Sequence, residues 1–347
     1  MTPTLPADTH VLRAAAVPRD RVRLSVIVPA RDVAPWVEET VASLLGQTMP
    51  RLEVVVVDDG SSDDGLARVL GIADPRLACV AGPPRGLPAA RNAGLAVARG
   101  EYVGFCDGDD VWFPEKAARH LAVMEADPTL GLTYSWSEYL APGGARTGRL
   151  LLSRRREPTA RQLARRNHVG NGSTPVVRRA AFDAAGPFDE RFVCNFEDLE
   201  MWVRIAACTR FRVRLVPAAL TGYRIRPGSL SVAFDGFLAG SRLAVECFRR
   251  YVPGFTARDA ARVRAEALRI ASRKAFANGD VVRSRRFLRA ALAEAPTLAV
   301  SDPRAAGMIA VHLAALVLPP GRRQRAYAAA EHVLRAVSLL VAKEARR

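Results

Sequence analysis

The stretch LSVIVPARDVAPWVEETVASLLGQTMPRLEVVVV, residues 24–57, decides the fold class. It begins with a short β-branched apolar run at 24–28, which is typical of a strand buried on both faces. Valines and leucines then recur at helical spacing, and this pattern stops at Gly46 and Pro50. A second apolar run follows at 53–57. Strand, helix and strand in this order predict a βαβ unit with parallel strands.

The same alternation continues along the chain. A turn follows the second strand, and Ser62 or Asp63 could cap a helix through about Val69. Further apolar runs at 76–81 and 102–106 predict two more strands. The helix between them begins near a proline and ends before a glycine. This βαβαβαβ order predicts an α/β fold with a mostly parallel sheet flanked by helices, in which ligands bind beyond the carboxyl ends of the strands.

Three strand ends carry polar and turn-forming residues that should meet at one rim: Pro29-Ala30-Arg31-Asp32, Asp58-Asp59 and Asp107-Gly108-Asp109-Asp110. Asp107 and Asp109 could face one divalent cation, because Mg²⁺ uses one or two carboxylates and completes its shell with water and phosphates. Gly108 would let the backbone approach a ligand closely. The alternative is a simple turn. For Asp110 we favour a turn without ligand binding, in which Asp110 caps a helix beginning near Pro114.

Each of two further acidic pairs can have either a structural or a functional role. Asp58 and Asp59 can form a turn with Gly60, or one carboxylate can accept a hydrogen bond from a base N–H. Glu197 and Asp198 open a predicted helix, where the helix dipole favours carboxylates. A carboxylate at a cleft rim can also act as a general base. We expect the dipole to keep its pKa low.

The rest of the chain differs from this pattern. Residues 1–22 show no periodicity and predict a flexible lead-in, and short strands and loops are predicted from Leu130. The segment 270–296 resembles a tetratricopeptide-like helix pair. The apolar run 307–318 is too short to span a bilayer, and it predicts a buried helix, with an interfacial helix as the alternative. The predicted domains are the lead-in, a ligand-binding domain with two halves, and a helical C-terminal region: 1–22, 23–234 (about 23–127 and 128–234) and 235–347.

The net charge of +16 predicts attraction to anions such as nucleic acid, a membrane surface or phosphorylated small molecules. An arginine-rich proteome is the alternative explanation. The five cysteines include no C-x-x-C pair, which disfavours a zinc knuckle or redox pair and fits a reducing cytoplasm. The N-terminal sequence lacks a signal-peptide pattern. We therefore predict a cytoplasmic protein, and the basic charge adds peripheral contact with the inner membrane surface as a further expectation.

Several common motifs are missing. The first βα turn lacks G-x-G-x-x-G, which disfavours dinucleotide binding, and the chain contains no G-x-x-x-x-G-K-[ST], H-E-x-x-H or G-x-S-x-G. Four blocks that are present do resemble, in order, glycosyltransferase family 2, whose members have the GT-A fold. They are the strand and helix at 24–48, LEVVVVDDGSSDD at 52–64, GLPAARNAGLAVARGEYVGFCDGDDVWFPEK at 86–116, and GPFDERF…NFEDLEMWVRIA at 186–206.

The resemblance implies roles for individual residues. It assigns these residues to the nucleotide: Pro29, Ala30, Asp32, Asp59, Arg91, Asp107 and Gly108. Within that set, Asp59 would hydrogen-bond the base and Arg91 would lie near the nucleotide or its phosphates. Asp107 would face the ribose or the metal, and Asp109 would bind the metal that holds the diphosphate. Asp198 would be the base that deprotonates the acceptor hydroxyl, with inversion at the anomeric carbon.

Two departures from the family pattern stand out. Many relatives begin with Pro-x-Tyr-Asn, whereas this chain has Pro-Ala-Arg-Asp at 29–32, so Arg31 stands where those relatives have tyrosine. The stretch 222–231 carries Arg226 where the family has a histidine. Arg224 or Arg226 could supply positive charge to the diphosphate, or the stretch could be a solvated basic loop. Gln-x-x-Arg-Trp is also missing, which disfavours a processive polysaccharide synthase.

The resemblance therefore predicts an inverting, metal-dependent, hexosyltransferase-like enzyme. It would move a sugar from a nucleotide-diphosphate sugar to a hydroxyl of a glycan or lipid-linked acceptor, in surface glycan or polysaccharide biosynthesis, with Mg²⁺ or Mn²⁺. A sugar nucleotidyltransferase is one alternative, although no glycine-rich loop follows the first strand. A nucleic-acid-binding protein using the arginine-rich stretch 146–166 is another. That stretch has few aromatic residues for base stacking, so no nucleic acid is expected.

Overall fold

The computed structural model describes residues 3–193, 195–224, 234–277, 279–301 and 303–317. The strands in these ranges are β1 (His10–Arg13), β2 (Leu24–Ala30), β3 (Leu52–Asp59), β4 (Leu77–Gly82), β5 (Tyr102–Phe105), β6 (Val111–Trp112), β7 (Leu130–Leu140), β8 (Arg146–Leu151), β9 (Val176–Arg178) and β10 (Arg212–Arg224). The helices are α1 (Val37–Leu45), α2 (Gly65–Leu70), α3 (Leu87–Val97), α4 (Lys116–Ala126), α5 (Ala160–Arg165), α6 (Arg179–Ala185), α7 (Glu197–Cys208), α8 (Phe234–Tyr251), α9 (Ala257–Ala277), α10 (Val281–Glu294), α11 (Leu298–Ser301) and α12 (Pro303–Val317).

The strands form one mixed sheet in the order β1-β4-β3-β2-β5-β9-β7-β10-β6, and β8 pairs with β7. Its longest ladders are parallel: β2 pairs in parallel with β3 and β5, β3 with β4, and β7 with β10. Antiparallel β9 joins the two parallel groups. The predicted α/β class, with a mostly parallel sheet flanked by helices, is confirmed.

Apolar residues fill both faces of the sheet, as the runs in β2 and β3 predicted. Val26 and Val28 pack in one core with α1, while Ile27 faces the opposite core with α3. The approach of α3 is close, since a Cβ added to Gly94 would lie 2.4 Å from Ile27 Cγ2. Helices on both faces hold the carboxyl ends of β2, β3 and β5 at one rim, where the candidate site residues lie.

Two elements differ from the sequence prediction. Where we expected a flexible lead-in, His10–Arg13 forms the edge strand β1, because its backbone pairs antiparallel with the otherwise open edge of β4. Where we expected short strands, β7 and β10 have 11 and 13 residues and pair along most of their length. The alternation of apolar and polar residues in LGLTYSWSEYL, 130–140, is the period-2 signal that marks β7.

The C-terminal helices include the expected helix pair. Helices α9 and α10 pack together across a turn at Gly279, which has φ 79°, and Ser272 Oγ donates to Ser284 O at 2.8 Å. The apolar run 307–317 lies in α12, where His312 is buried with Nε2 3.0 Å from Ser284 Oγ but Leu313 is 57% exposed, so α12 is covered on one face rather than buried all round. Among the helices in the described ranges, none has the length and hydropathy needed to cross a bilayer.

Candidate active site

Residues 107–110, here called the acid loop, follow β5 at the centre of the rim. The loop lies against the first βα turn: Gly108 N donates to Pro29 O at 3.2 Å. A Cβ on Gly108 would lie 2.9 Å from Val33 Cγ2. Glycine therefore allows this close packing against Val33, a neighbour that the sequence did not indicate.

Arg91 of α3 links the acid loop to α7. Its Nη2 lies 3.2 Å from Asp107 Oδ1 and its Nη1 lies 2.8 Å from Glu197 Oε1. The side chain is only 2% exposed, and its guanidinium lies over the rings of Phe105 and Phe188. We predicted that Arg91 would lie near the nucleotide or its phosphates. Its charge is already shared between two carboxylates, so Arg91 holds Asp107 and the start of α7 together.

Asp107 and Asp109 have the donor chemistry of a divalent-cation site. Burial raises the pKa of Asp107, Arg91 opposes that effect, and the charges of Asp109 and Glu197 raise the pKa further. Two repelling carboxylate groups at a partly open rim fit a hard cation that prefers oxygen ligands. The described residues contain no group of three or more acidic, histidine or cysteine ligands. Such a cation would therefore take its remaining ligands from phosphates and water.

Asp110 does not cap the following helix, so that expectation was wrong. Helix α4 begins at Lys116, and Asp110 is fully buried instead. One carboxylate oxygen accepts a hydrogen bond from Ser173 Oγ at 2.5 Å and the other from Arg224 N at 2.9 Å. The Ser173 hydroxyl also accepts a hydrogen bond from Asp107 N at 2.9 Å. Asp110 is therefore an internal anchor of the acid loop.

Arg224 closes the same network from the end of β10. Its guanidinium donates to Asp109 O at 2.8 Å, to Pro142 O at 2.9 Å and to Glu39 Oε2 at 2.6 Å. Because the Arg224 side chain is fully buried in these contacts, it is committed to protein groups rather than to a diphosphate. The alternative residue, Arg226, lies outside the described residues.

The first two strand ends are joined by loop hydrogen bonds. Asp32, at φ 51°, accepts from Ser62 N at 2.8 Å, and the hydrogen bonds from Ser62 lower its pKa. Asp59 is buried and accepts from the backbone N–H groups of Arg85 and Gly86 at 2.7 and 3.0 Å. Both carboxylates therefore order the rim itself, and base binding by Asp59 stays a prediction.

Pro29 and Ala30 are the last residues of β2 and both are buried. Ala30 is paired with Asp58 of β3. These positions put the backbone of the first strand end beside the second strand end, so the two predicted pocket residues are part of the rim, with their side chains covered.

Asp198 lies in the first turn of α7, after two residues in the left-handed region, Asn195 and Phe196. Burial raises the pKa of Asp198 to about 7, and the neighbouring charge of Glu197 contributes. We expected the helix dipole to keep this pKa low. Desolvation and the adjacent carboxylate outweigh the dipole here. The result is a carboxyl group poised to accept a proton near neutral pH.

Sequence reasoning missed two groups at the site. The first is the loop before β9, where Ser173 bonds the acid loop and a Cβ on Gly172 would lie 2.3 Å from Arg91 Nη2. The second is a pair of tyrosines, Tyr139 and Tyr223, beside the acid loop. For the loop before β9, the only local sequence signal was the polar run NGS at 171–173, which is typical of an ordinary loop.

Comparison with known proteins finds a matching family model and several curated relatives. Residues 25–186 match the family model "Glycosyl transferase family 2". The chain is 26% identical over 210 residues to the Escherichia coli UDP-Glc:alpha-D-GlcNAc-diphosphoundecaprenol beta-1,3-glucosyltransferase WfaP, covering 60% of this chain and 79% of WfaP. Other curated relatives are covered less, down to 26% of the length of a Bacillus subtilis protein and 14% of a Pasteurella multocida protein.

Two solved structures share the fold. The S. aureus TarS 1-349 complex with UDP-GlcNAc aligns with a TM-score of 0.58 at 21% identity, covering 78% of this chain and 82% of TarS 1-349. The mannosyltransferase PcManGT from Pyrobaculum calidifontis, in complex with GDP-Man and Mn²⁺, aligns with a TM-score of 0.53 at 21% identity, covering 95% and 89%. At this identity the likeness concerns the GT-A fold.

Proposed function

We propose that the chain, whose residues 25–186 match the family model of glycosyltransferase family 2, catalyses inverting transfer of one sugar from a nucleotide-diphosphate sugar to a hydroxyl group. The observation that carries this proposal is the bridge made by Arg91. Its contacts with Asp107 and Glu197 bring the acid loop beside Asp198. A candidate leaving-group site and a candidate base with a pKa of about 7 therefore lie next to each other.

The proposed reaction is a single displacement. Asp198 accepts the proton of the acceptor hydroxyl while the hydroxyl oxygen attacks the anomeric carbon. The bond from that carbon to the diphosphate oxygen breaks, and the nucleoside diphosphate leaves with the bonding electrons. Attack opposite the leaving group inverts the anomeric centre, and no covalent enzyme intermediate is required. A divalent cation held by Asp107 and Asp109 would neutralise charge on the diphosphate.

For the donor we propose a nucleotide-diphosphate sugar, bound at the ends of β2, β3 and β5. The nucleotide would contact Pro29, Ala30, Asp32, Asp59 and Gly108, while Arg91 supports the site through Asp107. The UDP-GlcNAc and GDP-Man complexes of TarS and PcManGT support this class of donor. The Mn²⁺ in the PcManGT complex supports a divalent cation.

For the acceptor we propose a sugar hydroxyl on a glycan or lipid-linked carrier, in surface glycan or polysaccharide synthesis. The diphosphoundecaprenol-linked acceptor in the name of WfaP supports this class. The net charge of +16 supports peripheral contact with the inner membrane surface from the cytoplasm. We also propose that residues 23–234 form the transferase domain, after the lead-in 1–22, and that 235–347 form a helical addition.

Two substitutions test the proposal. We expect Asp198→Asn and Asp109→Ala each to lower kcat by about 10²–10⁴-fold, measured as nucleoside diphosphate release with Mg²⁺ or Mn²⁺. Asp64→Asn is the matched control, because Asp64 is an exposed partner of Arg68 away from the acid loop. Transfer at the parental rate by either site variant would remove that residue from the mechanism. A thermal-shift screen of nucleoside diphosphates with and without Mn²⁺ would identify the base.

A further inference from the structure

Two tyrosines and an arginine form a stack beside the acid loop, here called the tyrosine platform. Tyr139 of β7 and Tyr223 of β10 are direct partners in the parallel ladder. Their ring centroids are 5.7 Å apart at an interplanar angle of 49°, and Arg149 Cζ of β8 lies 5.1 Å from the Tyr139 ring centroid. All three side chains are half-buried, so a part of each stays exposed.

The platform adjoins Arg224, the residue that binds the acid loop from the end of β10. The residue after Tyr223 is Arg224, whose N–H donates to Asp110 and whose guanidinium donates to Asp109 O. Burial raises the pKa of Tyr223, and the charges of Asp110 and Asp107 raise it further, which fits this proximity. In the sheet order, β7 and β10 lie beyond β5 and β9, on the side opposite β3 and β4. The platform therefore flanks the acid loop on the side away from the proposed nucleotide pocket.

The polar groups of the platform are available for a ligand. Among the described residues, the hydroxyls of Tyr139 and Tyr223 have no hydrogen-bond partner, and neither oxygen is enclosed. Tyr134 and Tyr251 differ, since their hydroxyls donate to Arg155 O at 2.5 Å and to Glu200 Oε1 at 2.8 Å. No carboxylate in the described part of the chain pairs with the Arg149 guanidinium.

These features match the chemistry of one ligand. Aromatic faces provide rigid apolar contact area, and phenol hydroxyls add hydrogen bonds at the edge. The C–H face of a pyranose ring is apolar, while its rim of hydroxyls is polar. A guanidinium prefers a phosphate group, which it can bind through two parallel hydrogen bonds. Outwards from the acid loop, the platform presents the ring of Tyr223, then the ring of Tyr139, and then the cationic Arg149.

We propose that the tyrosine platform is the acceptor subsite. The acceptor sugar ring packs on Tyr223 and Tyr139, with its reacting hydroxyl towards Asp198 beside the acid loop. Arg149 binds the diphosphate attached to that sugar. This inference rests on the proposed glycosyl transfer and adds to it the residues that bind the acceptor and the role of a diphosphate on that acceptor.

Binding measurements with two probes test the platform. The probes are N-acetylglucosamine α-diphosphate on a short alkyl chain and the neutral alkyl glycoside of the same sugar, titrated calorimetrically with nucleoside diphosphate and Mn²⁺ present. We expect Tyr139→Ala to weaken binding of both probes by about 10-fold or more. Tyr139→Phe keeps the ring and should stay within about 3-fold of the parental protein. Arg149→Ala should weaken only the diphosphate probe, by about 10-fold.

Arg156→Ala is the matched control, because it removes the same charge from an exposed position on a neighbouring segment and should leave both affinities unchanged. The platform is wrong if Tyr139→Ala binds both probes as the parental protein does, if Arg149→Ala affects both probes equally, or if the parental protein binds nucleotide but neither probe. Calorimetric titration of the nucleoside diphosphate with Mn²⁺, without either probe, provides a separate measure of the donor site. Absence of this binding in the parental protein would contradict the proposed function itself, whereas its retention with unchanged probe binding in the variants contradicts only the platform.

Discussion

Aspartates at the rim differ in pKa because their surroundings differ. Asp32 is exposed and accepts hydrogen bonds from Ser62, which lower its pKa. Asp110 is fully buried, and burial raises its pKa well above the usual range. Asp198 lies between these cases, with burial and Glu197 raising its pKa to about 7. The same residue type therefore has three roles: Asp32 holds two loops together, Asp110 anchors the acid loop internally, and Asp198 is a candidate base.

This pKa predicts the pH dependence of the reaction. Below pH 7 Asp198 is protonated and cannot accept the proton of the acceptor, so kcat should rise with pH and level off above about pH 8. Glu197→Gln removes a neighbouring negative charge, which should lower the pKa of Asp198, and it keeps an acceptor for Arg91. The rise of kcat with pH should therefore occur at lower pH in this variant. The measurement is kcat from pH 5.5 to 9 for both proteins. If kcat rises over the same pH range in Glu197→Gln as in the parental protein, Asp198 is not the titrating group.

At the scale of elements, the acid loop is held by the end of β10. Arg224 donates to the backbone of the loop and of the segment after β7, and its own N–H bonds Asp110. Ser173, in the loop before β9, bonds the acid loop from the other direction. A short acidic turn with repelling charges is thus kept in one conformation by two distant parts of the chain.

Removing the Arg224 clamp should therefore affect both stability and metal binding. Arg224→Ala leaves buried carbonyl oxygens without their donors, and we expect a loss of about 2 kcal/mol in the free energy of unfolding, measured by urea denaturation. The Mn²⁺ concentration for half-maximal binding should also rise, as followed by electron paramagnetic resonance.

The matched control is Arg214→Ala on the same strand. Arg214 pairs with Asp127 and Glu157 near the surface, and its loss should cost less than about 1 kcal/mol. Equal destabilisation by the two variants, or unchanged Mn²⁺ binding in Arg224→Ala, would contradict the clamp.

At the scale of the whole molecule, a buried acid joins the C-terminal helices to the rest of the chain. Asp259 of α9 forms ion pairs with Arg161 and Arg165 of α5. It also accepts from Thr256 N at 2.9 Å, next to the start of its helix. Burial acts to raise the pKa of Asp259, but the hydrogen bonds from Thr256 and the two arginines outweigh it and lower the pKa.

Neutralising this acid should loosen the helical region. The folded pKa of Asp259 is lowered, so its stabilisation is present above pH of about 4 and lost as the pH falls further. Asp259→Asn should therefore lower the melting temperature at pH 7, by about 4 °C or more, and the difference from the parental protein should shrink in acid. Differential scanning calorimetry at both pH values tests this. A pH-independent difference would show that charge is not the cause.

The parallel strands, the helices α1, α3 and α7 and the order of the acidic blocks could be predicted from the sequence. Each depends on local periodicity or on a motif at a strand end. The edge strand β1 could not be predicted, because its pairing depends on a partner about 70 residues away. The cap assigned to Asp110 was wrong for the same reason, since its partners Ser173 and Arg224 are distant along the chain.

Sequence by itself determined which chemical groups reach the rim, because the alternation of strands and helices places the strand ends together whatever the side-chain details. Only the tertiary structure decided what each group does there. Desolvation, close charges and hydrogen bonds across the chain depend on three-dimensional neighbours, and they made Arg91 a bridge, Asp110 an anchor and Asp198 a carboxyl group with a pKa of about 7.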